Sequence, residues 1–503
     1  MVIARNNSQA STLARVATPK DLPARAAEPQ DQFEITRQEI PGSFIVTVPT
    51  QSLASLVSNN RVQVEKVIGQ ANDSTYLLVS QPESSLQDTE VFGQVFPNYQ
   101  YSGKLYDDPV QQQPLMSAVA PSKRPGHLDI INIDPAWQQT KGSPETFGAV
   151  TDTGLDVAHP VLQGTVWQNA KETANGKDDD ANGYVDDLSG WDFTDADSDA
   201  SHTRSTHHTH VHGIVHANEG DSGATGVAPG SQSMPLRIAG GKLGYSSAIL
   251  VESYLYAMNQ GAKSINTSFN IDGFVGDKAI ESTYRTLVDN DVLLFNSAGN
   301  SGRKNPARSK FEDIVLVAST DTAAGRIDKR SSFSNYGNGV DIAAPGSDII
   351  STFPNGRVGA SSGTSMASPV AMGVDLLVQS AHPDWNAAQR WAQISGTADN
   401  INELNPNEAG LFGGGRVNAG RALTETLAPP TLSARETKTP NGSTSKVAVR
   451  FEKVLDPATS NQPEAWRVVD SQGETVMQGA PKEVRLLTNE IEFNVGGLPA
   501  GSY

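Results

Sequence analysis

The sequence predicts an α/β protein built on a three-layer, doubly wound and mostly parallel sheet, preceded by a small α+β unit and followed by a β-domain. Three observations carry the prediction. Between about 126 and 425, short apolar runs alternate with amphipathic helical stretches, the texture of parallel strands covered on both faces. From Phe33 to about Pro97, two apolar strand-like runs bracket one short helical stretch. After about 428, apolar residues alternate at period two, the mark of half-buried strands.

In chain order, residues 1–31 are polar, rich in Ala and Pro and without period, and read as a flexible lead-in. In the unit at 32–97, Phe44-Ile45-Val46-Thr47-Val48 and Tyr76-Leu77-Leu78-Val79 read as strands, with a helix over 51–59. Residues 98–125, rich in Pro, Gln and Gly, read as a linker. The large domain, 126–427, offers strands at 147–150, 264–266, 292–295 and 314–317, and helices at 248–260 and 366–380. In the last domain, 428–503, alternating apolar residues at 447–451 and 491–495 suggest a β-sandwich-like unit. Asp470-Ser471-Gln472-Gly473 suits a hairpin turn there. The segment 498–503 reads as a strand just beginning, so that domain is expected to be incomplete.

Composition narrows the function. The formal net charge of -18 argues against nucleic acid and anionic membranes as partners and suits a well-hydrated or cation-binding protein. The absence of cysteine excludes disulfides, thiolate metal sites and a cysteine nucleophile. No apolar run reaches the roughly 18 residues of a membrane span. The opening Met1-Val2-Ile3-Ala4-Arg5-Asn6-Asn7 lacks the apolar centre of a signal peptide, which is therefore expected to be missing from this chain.

The chemistry concentrates in Gly359-Ala360-Ser361-Ser362-Gly363-Thr364-Ser365-Met366-Ala367-Ser368-Pro369, where glycines and small hydroxyl residues lead into an apolar helix. A serine at such a junction exposes its oxygen, while the unbonded N–H groups of the first turn face whatever it attacks. That suits a nucleophile whose reaction builds negative charge on an oxygen; an ordinary N-cap serine is the plain alternative. Acyl transfer also needs a base, an acid to orient the base, and oxyanion donors. Asp152, in Thr151-Asp152-Thr153-Gly154, stands at the end of an apolar strand. The same triplet marks aspartic proteases, which need two, and it occurs once. His207 opens His207-His208-Thr209-His210-Val211-His212-Gly213 ahead of an apolar helix. Asn300 closes Asn296-Ser297-Ala298-Gly299-Asn300 after an apolar strand, placed to offer an amide to an oxyanion unless it is only a turn residue.

The string Gly363-Thr364-Ser365-Met366-Ala367-Ser368-Pro369 resembles the nucleophile segment of the subtilisin-like serine proteases, the subtilases, and the order Asp, His, Ser is that of subtilisin. Gly226-Val227-Ala228-Pro229, Ile265-Asn266-Thr267-Ser268, Phe333-Ser334-Asn335-Tyr336-Gly337 and Ala344-Pro345-Gly346 extend the resemblance. It implies a subtilisin-like fold and a secreted or cell-surface serine endopeptidase acting on proteins or peptides, without organic cofactor. It implies Ser365 as nucleophile, His207 as base, Asp152 as its orienting acid, and Asn300 with the Ser365 N–H as oxyanion hole. Segments 240–244 and 268–270, with Gly240, Gly241, Ser268, Phe269 and Asn270, would flank an extended substrate. The 32–97 unit would be a propeptide, an inhibitory partner removed by self-cleavage between about 98 and 125.

Departures from the family pattern support a second reading, a catalytically impaired homologue that binds peptides or scaffolds a partner. The family's His-Gly-Thr-His-Val-Ala-Gly carries histidine here at 208 and 212, and His216 stands where a small residue is expected. Bulky imidazoles on an interior helix should overpack it and bury polar groups. Asp375 inside the nucleophile helix and Asn270 in place of glycine add to this reading. The four-residue spacing of His208, His212 and His216 could hold zinc, copper or nickel, but no carboxylate stands at matching spacing, so a metal-free face is expected. The acidic run at 178–186 places Asp178, Asp180, Asn182, Tyr184 and Asp186 at positions one, three, five, seven and nine of an EF-hand-like loop, with Gly183 at six. Structural calcium is expected there, although position twelve is Ser189 rather than Glu.

Overall fold

A computed structural model of the chain describes residues 35–58, 62–87, 91–102, 124–202, 206–220, 222–240 and 245–425, and five short strands beyond them. The N-terminal unit is an antiparallel sheet in the order β2-β3-β1-β4, formed by β1 (Thr36–Pro49), β2 (Val64–Ala71), β3 (Ser74–Ser80) and β4 (Gln94–Ser102). With helix α1 (Leu53–Ser58) it encloses its own core, centred on Phe44, Val46, Leu56, Leu77, Val79 and Phe92. β4 runs on to Ser102, past the expected boundary at 97. The strand continues through a stretch whose Pro and Gln content reads as a linker, and the pairing of Gln100 and Tyr101 with Ser246 and Tyr245 holds its end.

The large domain opens with the short helices α2 (Gly126–Ile130) and α3 (Ile133–Gln139). Its centre is a seven-stranded sheet whose neighbours are all parallel. The strands are β5 (Phe147–Asp152), β6 (Trp191–Asp192), β7 (Gln232–Arg237), β9 (Ser264–Thr267), β10 (Leu293–Ser297), β11 (Val315–Thr320) and β12 (Ile342–Pro345). Their order is β12-β11-β10-β9-β5-β7-β6, and β8 (Tyr245–Ser246) joins β4 instead. The strand interiors are buried on both sides, which is why they read as apolar runs rather than alternations. One face carries α5 (Ser247–Asn259) and α6 (Lys278–Asp289), the other α4 (His207–His216) and α7 (Thr364–Ala381). A hairpin of β13 (Ile349–Phe353) and β14 (Arg357–Ser361) precedes α7, and α8 (Ala387–Gly396) and α9 (Ala419–Thr424) follow it. Farther on, β15 (Leu432–Lys438), β16 (Lys446–Phe451) and β19 (Glu490–Asn494) pair in an antiparallel sheet, and β17 (Arg467–Val469) pairs with β18 (Thr475–Gln478). The expected turn at 470–473, the lead-in at 1–31 and the terminal 498–503 lie outside the described residues.

The N-terminal unit docks on α5 and α6. Gln100 and Tyr101 pair with Ser246 and Tyr245, and Tyr101 stacks on Tyr245 and hydrogen-bonds the Asp277 carboxylate. Asn98 Oδ1 accepts from Ala248 N in the first turn of α5 at 3.2 Å, so the unit supplies a cap to a helix of the other domain. Tyr76 meets Thr286, and Lys66 pairs with Glu252.

His208 and His212 of α4 are each seated on a single hydrogen bond, and the expected burial of polar groups is present, since His208 Nε2 and His212 Nδ1 are buried without a partner. His208 Nδ1 accepts from Gly154 N at 3.1 Å, His212 Nε2 lies 3.1 Å from Thr165 Oγ1, and His216 lies between Ser233 and Ser231. The crossing of α4 with β13 is tight at Gly213, where a Cβ would stand 2.1 Å from Thr352 Oγ1. Thr352 and Ser351 donate there to the carbonyls of Thr209 and His210. Burial pushes the imidazole of His216 down to about 3. Because that value lies below the unfolded value of about 6.5, the unfolded chain takes up a proton that the folded chain refuses. The folded state is therefore penalised as pH falls from about 6.5 towards 3, by about 1.4 kcal/mol per pH unit. His216→Ala, followed by urea unfolding at several pH values, should flatten the dependence of stability on pH by that amount. An unchanged slope would contradict the burial of a neutral imidazole.

Candidate active site

Asp152, His207, Asn300 and Ser365 stand at the carboxyl edge of the parallel sheet or at the starts of the helices that cover it, the region where open α/β sheets form their sites. Asp152 is the last residue of β5, His207 the first of α4, Asn300 follows β10, and Ser365 is the second residue of α7. His207 Nδ1 lies 2.7 Å from Asp152 Oδ2. The other oxygen of Asp152 accepts from Thr153 N at 2.6 Å and Thr153 Oγ1 at 2.9 Å, so the fully buried carboxylate is held from both ends. Burial alone would raise the Asp152 carboxyl, but the charge and hydrogen bond of His207 outweigh it and hold the group below the ordinary carboxylate range.

The nucleophile segment is fixed by a reciprocal pair. Pro369, inside α7, has no N–H to give the carbonyl of Ser365 one turn earlier. Ser268 Oγ donates to that carbonyl at 2.9 Å, and Ser365 Oγ donates to the carbonyl of Ser268 at 3.0 Å. Asn266 ties the arrangement to the sheet, donating to Ser268 Oγ and accepting from Ser368 Oγ. Asn300 Oδ1 accepts from Thr364 N and from Thr364 Oγ1, both at 2.8 Å. Its carbonyl end is thus engaged at the start of α7, which makes the amide nitrogen the opposite end.

The substrate-flanking residues are placed unequally. Ser268, Phe269 and Asn270 are buried beside the nucleophile segment, and Asn296 Nδ2 holds the carbonyls of Thr267 and Phe269. Asn270 turns its side chain to the buried Arg308, which also bonds Asp272 and the carbonyl of Ser297. Arg308 escapes sequence reasoning because a lone arginine in a loop reads as a surface charge. Gly240 is exposed with φ +88, and Gly241 lies outside the described residues. Of the predicted calcium ligands, Asp178 spends its oxygens on Asn182 N and Gly183 N, and Asp186 on Asn175 N and Gly176 N. Asn182 Oδ1 accepts from Tyr184 N, and only Asp180 stands in a group of three carboxylates.

A profile of the subtilase family matches residues 145–415. Thermitase of Thermoactinomyces vulgaris is 32% identical over 295 residues, covering 58% of this chain and 93% of thermitase. A thermophilic serine proteinase of Bacillus sp. (strain AK1) is 32% identical over 293 residues, covering 58% of this chain and 65% of that protein. Subtilisin Savinase of Lederbergia lenta is 31% identical over 216 residues, covering 42% of this chain and 76% of that protein. With the matched segment spanning the whole parallel sheet and the relatives proteases by name, the chain belongs to the subtilase family and is a serine endopeptidase.

Proposed function

We propose that Ser365, His207 and Asp152 form the catalytic triad of a secreted or cell-surface endopeptidase, with Asn300 and the Ser365 N–H as its oxyanion hole. The observation that carries this is the pairing of the partly buried His207 with the fully buried Asp152 at 2.7 Å. With Nδ1–H given to the carboxylate, Nε2 is the basic nitrogen, and Asp152 stabilises the imidazolium that forms. Ser365 Oγ attacks the scissile carbonyl and its proton passes to His207. The C–N bond then breaks as His207 returns that proton to the leaving amine. Water, deprotonated by the same imidazole, releases the acyl group and regenerates the serine. The oxyanion would lie before the first turn of α7, whose amides point the same way as the donors named.

The N-terminal unit acts as an inhibitory propeptide in this reading. Its strand pairing with β8, the Asn98 cap on α5 and the Lys66–Glu252 pair support that role. Self-cleavage belongs between about 98 and 125; of these residues, 98–102 lie in β4 and 103–123 lie outside the described residues. The impaired-homologue alternative is the weaker reading: His208, His212 and His216 each have a hydrogen-bond partner, although His208 Nε2 and His212 Nδ1 are buried without one, and the relatives are proteases by name.

Labelling with a fluorophosphonate serine probe tests the assignment. The probe should attach at Ser365, and absence of label in folded protein freed of its N-terminal unit would refute it. Asn300→Leu should lower turnover about 100- to 1000-fold with little change in KM, because an oxyanion donor acts mainly in the transition state. Peptide kinetics on the purified variant would check this.

A further inference from the structure

The segment joining Asp152 to His207 contains a cluster of acidic groups that the proteolytic reading does not use. One oxygen each of Glu172, Asp180 and Asp187 lie within 4.8 Å of one another. Glu172 is 6% exposed; its Oε1 accepts from Asp179 N at 2.7 Å and Asp180 N at 3.0 Å, while Oε2 is buried with no hydrogen-bond partner. Oε2 is therefore the oxygen left over for the cluster. Asp187 is fully buried and accepts from Asn169 at 3.0 Å, Asn182 at 2.9 Å and the Tyr256 hydroxyl. Asp180 accepts from Asn169 at 3.2 Å and from Asn182 N. Every one of these donors is neutral. Three adjoining carboxylates, two of them buried, leave a charge that amide and hydroxyl dipoles do not balance.

We propose that Glu172, Asp180 and Asp187 bind a calcium-class divalent cation, in place of the EF-hand-like set read from the loop's spacing. A hard cation takes oxygen ligands at about 2.3–2.6 Å, so ligands on opposite sides of it stand roughly 5 Å apart, which the cluster matches. An all-oxygen, carboxylate-rich set disfavours zinc and copper. The bound ion would pin the loop to α5, where Tyr184 already donates to Glu252 at 2.8 Å and Asp187 meets Tyr256. It would stiffen the connection between Asp152 and His207 without touching the reacting atoms.

The test uses the full chain carrying Ser365→Ala, so that self-digestion does not intervene. Terbium, a calcium mimic, should luminesce on excitation of the aromatic group Tyr184, Trp191 and Tyr256, which surrounds the loop with ring centroids 4.7–5.0 Å apart. Calcium should quench it competitively. Calorimetric calcium titration should lose one equivalent in Glu172→Gln and in Asp187→Asn, and none in Asp178→Asn. Should the buried variants fail to fold, Asp180→Asn, at a partly exposed position, decides by the same loss of one equivalent. Full stoichiometry in a folded Glu172→Gln or Asp180→Asn variant, or loss of the equivalent in Asp178→Asn, would overturn the assignment. Neither result bears on the triad, which fluorophosphonate labelling tests separately.

Discussion

Ser365→Ala should lower peptide hydrolysis by about a million-fold, the scale on which a triad's contribution disappears when its nucleophile is lost. The reason lies in the geometry around α7. Ser365 is placed by the Ser268 pair and His207 is turned by Asp152, so the two groups are set by different elements and act together. His207→Ala should cost a comparable factor, and the double variant little more than either, because the two act as a unit. The same substitution should leave the N-terminal unit covalently attached, visible as a single band on a denaturing gel. The assignment fails if the purified Ser365→Ala protein cleaves a chromogenic peptide at the original rate.

The second large effect concerns stability. Asp375→Ala should destabilise the protein by about 3–5 kcal/mol, since removing one partner strands the other charge in the interior. Asp375 sits on α7 and is fully buried. Its Oδ1 accepts from Arg390 Nε at 3.0 Å and its Oδ2 from the Ser264 hydroxyl. Arg390, on α8, also donates to the carbonyl of Lys263 at 3.0 Å, so the pair joins α7, α8 and the start of β9. The position that departs from the family pattern is thus a strut of the nucleophile helix. Arg390→Met added to Asp375→Ala should recover part of the loss by removing the stranded charge. Urea unfolding of the single and double variants at neutral pH measures both; a cost below about 1 kcal/mol for Asp375→Ala would show that the pair carries little.

Much of the sheet was legible because its strands are short apolar runs buried on both faces, and because Asp152, His207 and Ser365 each stand where a strand ends or a helix begins. What escaped was tertiary. The face of His208, His212 and His216 reads as an overpacked helix because Thr165, Ser231 and Ser233, the hydroxyls it meets, lie in other segments. Asp375 reads as an intruder because Arg390 is a turn and a helix away. The loop at 178–186 matches an EF-hand-like spacing, yet Glu172 and Asp187, which stand with Asp180, lie outside that register. A linear template with fixed positions has no place for a ligand that arrives by folding back.

The hydroxyl-lined seat of the α4 histidines also bears on how such a chain can mutate. Replacing His216 by a small residue leaves a void against Ser231 and Ser233 and removes their partner, so the single step carries a cavity cost and a hydrogen-bonding cost together. Enlarging either serine first has no room while the imidazole is present. Each change costs less in the company of the others, so their effects are not additive. A small residue at 216 is therefore best accommodated together with larger residues at 231 and 233.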